Sequence, residues 1–137
     1  MKTIYLILIT LLSFQSSCTK ADNINVKQNE LLGKWQLIEV FDIYSGNSEN
    51  PWTPIENGLL YTFLKNGVME SSEFNCNGTY IFNSENEYQL QINFNCNEIQ
   101  YSGVFKVTFQ ENTLILEEKD TTCDEGCAEK FRRIQDE

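Results

Sequence analysis

The chain has 137 residues and a formal charge of −10, with 20 acidic against 10 basic side chains and no histidine. That length suits one domain, and the charge argues against nucleic acid and against electrostatic adsorption to an anionic membrane. No imidazole base or ligand exists, and neither a G-x-S-x-G nor a C-x-x-C motif occurs, so no enzyme, metal site or cofactor is expected.

The chain opens with Met1-Lys2 and an apolar run over residues 4–14, too short to span a bilayer but suited to a signal-peptide core. Ser16-Ser17-Cys18 follows. This resembles a bacterial lipoprotein signal, in which small residues precede a cysteine that becomes the lipidated N-terminus. The resemblance implies a signal peptide over 1–17, lipid on Cys18, and attachment to a bacterial cell envelope, outer membrane first. "TKADNINVKQNE", residues 19–30, is polar and aperiodic, so 18–30 reads as a lipidated tether and 31–137 as the folded domain.

Eight strands are predicted along that domain, and no helix. The first covers 34–41. The second, 59–64, meets the third, 68–74, across Lys65-Asn66-Gly67, and Asn-Gly is the strongest short hairpin signal. The segment between the first two, 42–58, holds both prolines and reads as one long connection.

The fourth and fifth strands form a hairpin with a cysteine at each end, "CNGTYIFNSENEYQLQINFNC". Tyr88, Leu90, Ile92 and Phe94 alternate with polar residues, the period of a half-buried strand. If Phe82 lies opposite Leu90, Tyr80 faces Ile92, Gly78 faces Phe94 and Cys76 faces Cys96. Directly opposed residues bring their Cβ atoms to about 4.5–5.5 Å, near what a disulfide needs. The apolar register and the cysteine register agree.

Residues 97–103 then read as a connection, 104–109 as the sixth strand, 113–118 as the seventh after Gln110-Glu111-Asn112, and 128–134 as the last. Between these two lies "CDEGC". With Cys18 set aside for lipid, the remaining four cysteines suit an oxidising compartment, and Cys123–Cys127 is the second expected disulfide. A zinc pair would want more thiolate or imidazole nearby. The acidic run 117–125 lacks EF-hand spacing and reads as a solvated loop.

The pattern is an all-β meander, most simply an eight-stranded antiparallel up-and-down barrel that closes its own edges. "LLGKW", with Gly33 and Trp35, is similar to the G-x-W signature of lipocalins, and "KFRRI", with Arg133, to their arginine-bearing last strand. The chain resembles small lipocalin-like lipoproteins of Bacteroidetes-type bacteria. With an even strand count the last strand runs antiparallel to the first, which brings Arg133 near Trp35. A guanidinium over that indole would help close one end, a structural role for Gly33, Trp35 and Arg133.

The same alternation puts the tight turns at the Trp35 end. It leaves 42–58, the cysteine pairs and 97–103 at the other. Trp52, held between Pro51 and Pro54, and Tyr44 upstream are the candidate ligand contacts at this mouth. Two functions compete: a lipid-anchored monomer that binds a small apolar molecule, and an anchored module that engages a cationic protein through its acidic loops. Tyr61, Phe63, Phe74, Tyr80, Phe82, Tyr88, Phe94, Phe105 and Phe109 are expected inside, and whether they fill the barrel separates the two.

Overall fold

The computed structural model describes residues 29–41, 51–96, 98–119 and 127–135. Cys18, Tyr44 and Cys123 lie outside them. Nine strands follow in order: β1 Gly33–Phe41, β2 Trp52–Pro54, β3 Leu60–Phe63, β4 Val68–Ser71, β5 Gly78–Phe82, β6 Leu90–Cys96, β7 Ile99–Gln110, β8 Thr113–Glu118 and β9 Ala128–Ile134. Each pairs antiparallel with its neighbour, and β1 also pairs with β9, so the sheet is closed.

The closed wall has eight members because β2 and β3 share one place in it. β3 lies along the start of β1, from Gly33↔Phe63 to Gln36↔Leu60, and β2 lies along its end, from Glu39↔Pro54 to Phe41↔Trp52. Backbone bonds from Ile55 N to Ile38 O (2.8 Å) and from Leu37 N to Leu59 O (2.9 Å) carry the pairing past the turn between them. The fold is the all-β, eight-stranded up-and-down barrel, lipocalin-like in architecture, that the alternation implies.

Two connections are shorter than expected. Residues 42–58 do not form one loop, since β2 occupies 52–54. Pro54 is tolerated there because it ends the strand, where its missing N–H breaks no ladder. Nor is 97–103 a connection: β7 begins at Ile99, directly opposite Cys96. The alternation Ile99, Tyr101, Gly103, Phe105 runs through this stretch, and Gly103 conceals it by presenting no side chain. A Cβ at Gly103 would lie 2.5 Å from the Phe105 ring and 3.0 Å from the Tyr101 hydroxyl, so this gap is where two rings lie against bare backbone.

The hairpin register is as expected, with Phe82↔Leu90 and Tyr80↔Ile92 paired. Cys76 and Cys96 are joined by a disulfide, their Cα atoms 6.4 Å apart. Cys127 is also disulfide-bonded. Asn66-Gly67 makes its turn, Gly67 at φ 75° and Asn66 Oδ1 accepting from Val68 N at 3.3 Å.

Aromatic rings fill the barrel toward the Trp35 end. Phe63 meets Tyr80 edge-on at 5.1 Å, and Tyr61 stacks on Phe131 at 5.2 Å. Ring pairs at such spacings add about 0.5–1.5 kcal/mol beyond the area they bury. Phe74, Phe82 and Phe109 pack half-buried against this core. Tyr88 does not join it: its ring lies under the Lys119 ammonium at 5.4 Å. β6 begins only at Leu90, so the alternation that would turn Tyr88 inward does not extend to it.

The disulfide should contribute measurably to stability. Cys76 and Cys96 are 20 residues apart, and a loop of that size corresponds to about 3 kcal/mol in chain-entropy terms. A Cys76→Ala/Cys96→Ala variant is expected to lose about that much in urea unfolding. An unchanged midpoint would remove the disulfide from the account.

Candidate functional site

The two ends of the barrel are chemically unlike. At the closed end Trp35 is 1% exposed, and its indole Nε1 donates to Leu31 O at 2.8 Å. The Arg133 guanidinium lies 4.2 Å from the centre of the Trp35 ring, its residue opposite Trp35 in the β1–β9 register. Its two terminal nitrogens donate to Leu32 O at 2.7 Å and to Glu30 O. Gly33 holds φ +114°, and a Cβ there would lie 3.1 Å from Arg133 Nη1. Gly33 thus takes a backbone shape that side-chain-bearing residues avoid and leaves room for the guanidinium. Tyr80 donates to Leu64 O at 2.6 Å on the same side. With rings packed above and carbonyls bonded below, this end is a lock rather than a binding site.

At the other end Trp52 is not held in a loop. A bulge between Leu37 and Glu39 shifts the alternation of β1, so that Val40 packs on the core and Phe41 turns to Trp52. The two rings meet edge-on at 5.4 Å. The Lys130 ammonium lies 4.1 Å over the indole and also forms an ion pair with Glu39. Trp52, Phe41, Tyr88 and Ile115 wall a groove of about 410 Å³ at the rim. Trp52 therefore reaches a cavity, though on the outer side of the mouth.

A second cavity, of about 230 Å³, lies inside the mouth against Tyr101, Phe105, Leu116, Glu118 and Glu129. The strand pattern explains why two carboxylates point inward. Glu118 continues the face of Leu114 and Leu116 and sits opposite Phe105. Glu129 lies two residues before Phe131 and opposite Leu116. Sequence reasoning missed both because charge was read as exposure. The signal that would have found them is strand parity, the same parity that put Arg133 on the face of Phe131.

The electrostatics of this cavity are one-sided. Burial, then Glu118 and Glu73, raise the Glu129 carboxyl above the usual carboxylate range. Burial, then Glu118, Glu129 and Glu73, push the Tyr101 phenol up to about 12. Tyr61 is raised further still, first by burial and then by Glu129, Tyr101 and Glu73. Each group disfavours negative charge on the others, so the cavity is poised to favour positive charge. Among the described residues no three carboxylate or thiol groups come close enough to hold a metal ion.

Comparison of the chain with protein-family models, with characterised proteins and with solved structures gives no match.

An acid held in this way weakens the empty fold as it ionises. The folded state keeps the Glu129 proton to higher pH than the unfolded chain does. Stability is therefore intact below the ordinary carboxylate pKa and falls as pH rises through the raised one. Glu129→Gln is expected to raise Tm at about pH 7, and the gain should vanish near pH 3. A gain independent of pH would show that packing, not charge, sets it.

Proposed function

We propose that the chain is a lipid-anchored, lipocalin-like protein of the bacterial cell envelope that binds a small molecule with an apolar body at the barrel mouth. The observation that carries this reading is the contrast between the ends. One is packed with rings and locked by Arg133 over Trp35; the other opens on an aromatic-walled cavity of about 230 Å³ beside a groove of about 410 Å³. Binding sites are concave and mostly apolar with a few placed polar groups, and the mouth meets that description.

Membership of the lipocalin-like lipoproteins rests on Gly33, Trp35 and Arg133, and the anchor rests on Ser16-Ser17-Cys18 after the apolar run. The outer membrane is the proposed address, and the barrel acts there as a monomer. The reading gives no residue a catalytic role.

A second reading is favoured by the filled lower half of the barrel. The inner cavity falls below the roughly 300–1,000 Å³ common for ligand pockets. An anchored module that engages a cationic protein would need only the acidic rim. A small ligand that spans the rim as well as the cavity explains the aromatic walls, which a purely electrostatic rim does not.

Two measurements test the reading. Cys18→Ser is expected to move the protein out of the membrane fraction, and unchanged fractionation would reject the anchor. In Trp35→Phe protein, with its fold checked, apolar probes should change Trp52 emission, whereas Trp52→Phe protein should stay silent. Silence in both shifts the choice to the interaction module.

A further inference from the structure

We infer that the mouth cavity selects a cationic small molecule, an organic ammonium whose apolar body lies on Tyr101 and Phe105 and whose charge sits among Glu118, Glu129 and the Tyr61 hydroxyl. This rests on the mouth being a small-molecule site and names the chemical class it takes.

The first ground is an uncompensated charge. Neither Glu118 nor Glu129 forms an ion pair or side-chain hydrogen bond with another described residue. Among the cations of the neighbouring strands, Arg132 is exposed on the outer face of β9, and three others are engaged elsewhere. Lys130 serves Glu39 and the Trp52 ring, Lys106 faces Glu117 at 3.7 Å, and Arg133 is spent at the closed end. The stretches that follow β1 and β8 in the sequence, 42–50 and 120–126, contain Asp42, Glu49, Asp120, Asp124 and Glu125 but no lysine or arginine. An isolated carboxylate in a half-dry cavity is disfavoured unless a positive partner arrives.

The second ground is independent of the acids. Tyr61 is 5% exposed, yet its hydroxyl has no hydrogen-bond partner among the described residues. No fully occluded side-chain oxygen lacks a partner there, so this hydroxyl opens onto space rather than into packed core. Its ring stacks on Phe131, two residues from Glu129, and Glu129 is the charge that acts on it most strongly. A buried phenol left unpaired beside an acid is a prepared partner for an N–H donor.

The chemistry then narrows. A bare divalent ion would need carboxylates gathered within bonding distance, and these are not gathered so. A neutral apolar molecule would leave both carboxylates and the phenol unpaired in a drier cavity, the more costly arrangement. An ammonium on a short aromatic or aliphatic body pairs with the acids and can lie over the electron-rich ring faces, which attract cations. Gly103 helps by letting the Tyr101 and Phe105 rings lie back against the wall.

The test compares 2-phenylethylamine with its neutral counterpart 2-phenylethanol, using calorimetry on the purified protein. The amine is expected to bind at least about tenfold more tightly, the equivalent of about 1.4 kcal/mol. Glu118→Gln and Glu129→Gln should each remove most of that preference, with Tm confirming folded protein, and the milder rim variant Glu73→Gln should reduce it less. Where the pH is low enough for Glu129 to keep its proton, amine binding should also release it, seen as a heat that changes with buffer. The ammonium draws Glu129 into its ionised form against the opposition of Glu118 on β8, Glu73, and the phenols of Tyr61 on β3 and Tyr101 on β7. Equal affinity for the alcohol overturns the inference while leaving the small-molecule site standing. Failure of both probes to bind overturns both. Displacement of the amine by micromolar calcium also overturns it, in favour of a metal site.

Discussion

The pairing of β1 with β9 is the constraint on which the other features rest. A meander of eight antiparallel walls buries one face only if its two edges meet, and an unmet edge exposes a row of unsatisfied N–H and C=O groups. Closing that ring joins segments about a hundred residues apart in sequence, so it is the contact with the largest loop entropy to overcome. Packing and hydrogen bonding are concentrated at that seam. Trp35 and Arg133 face each other across it, Leu37 meets Phe131, and the guanidinium reaches beyond the ladder to the carbonyls that precede β1. The planar fork does what a lysine would not, since it stacks on the indole while bonding at its edge.

With closure packed and hydrogen-bonded at one end, the other is held by backbone pairing and the Cys76–Cys96 disulfide. That is where the chain places groups that a core would reject. Glu118 and Glu129 stand on the inward face of strands whose next inward residues are Leu116 and Phe131. Two acids and the Tyr101 phenol line one cavity, with the Tyr61 phenol under the field of the same acids, a local cost that the ring-filled half of the barrel can carry. The division of labour along the barrel axis follows the side chains rather than loop length, since β6 ends at Cys96 and β7 begins at Ile99 on the mouth side, as close a connection as any at the closed end.

Much of this was legible in the sequence, because strand alternation and turn chemistry are local signals. The eight walls, the Asn66-Gly67 turn, the Cys76–Cys96 bond and the stacking of Arg133 on Trp35 all follow from period two and from counting. What was hidden was hidden by particular residues. Gly103 interrupts the alternation of β7 and made its first half look like a loop. Two prolines did the same for β2. The bulge after Leu37 cannot be read from composition, yet it decides which way Phe41 and Trp52 face. The acids were misplaced for a different reason: their charge outweighed their parity, and burying a charge is rare enough that the reading is usually right.

The wall is not equally thick around its circumference. β6 and β7 meet at seven register positions, but β4 and β5 meet at only two, Val68↔Thr79 and Met69↔Gly78. Strands part most readily where fewest bonds hold them, and across this gap the ladder is extended by Tyr80 N, which donates to Gly67 O at 2.8 Å. The segment bridging it carries Glu73 on one side and Cys76 on the other, with Phe74 pressed on Phe94 at 4.6 Å. Cys76 is bound to the end of β6, so the parting has a fixed stop. A parting of β4 from β5 would therefore open a tethered slit, checked by the bond that ties Cys76 to the hairpin behind it.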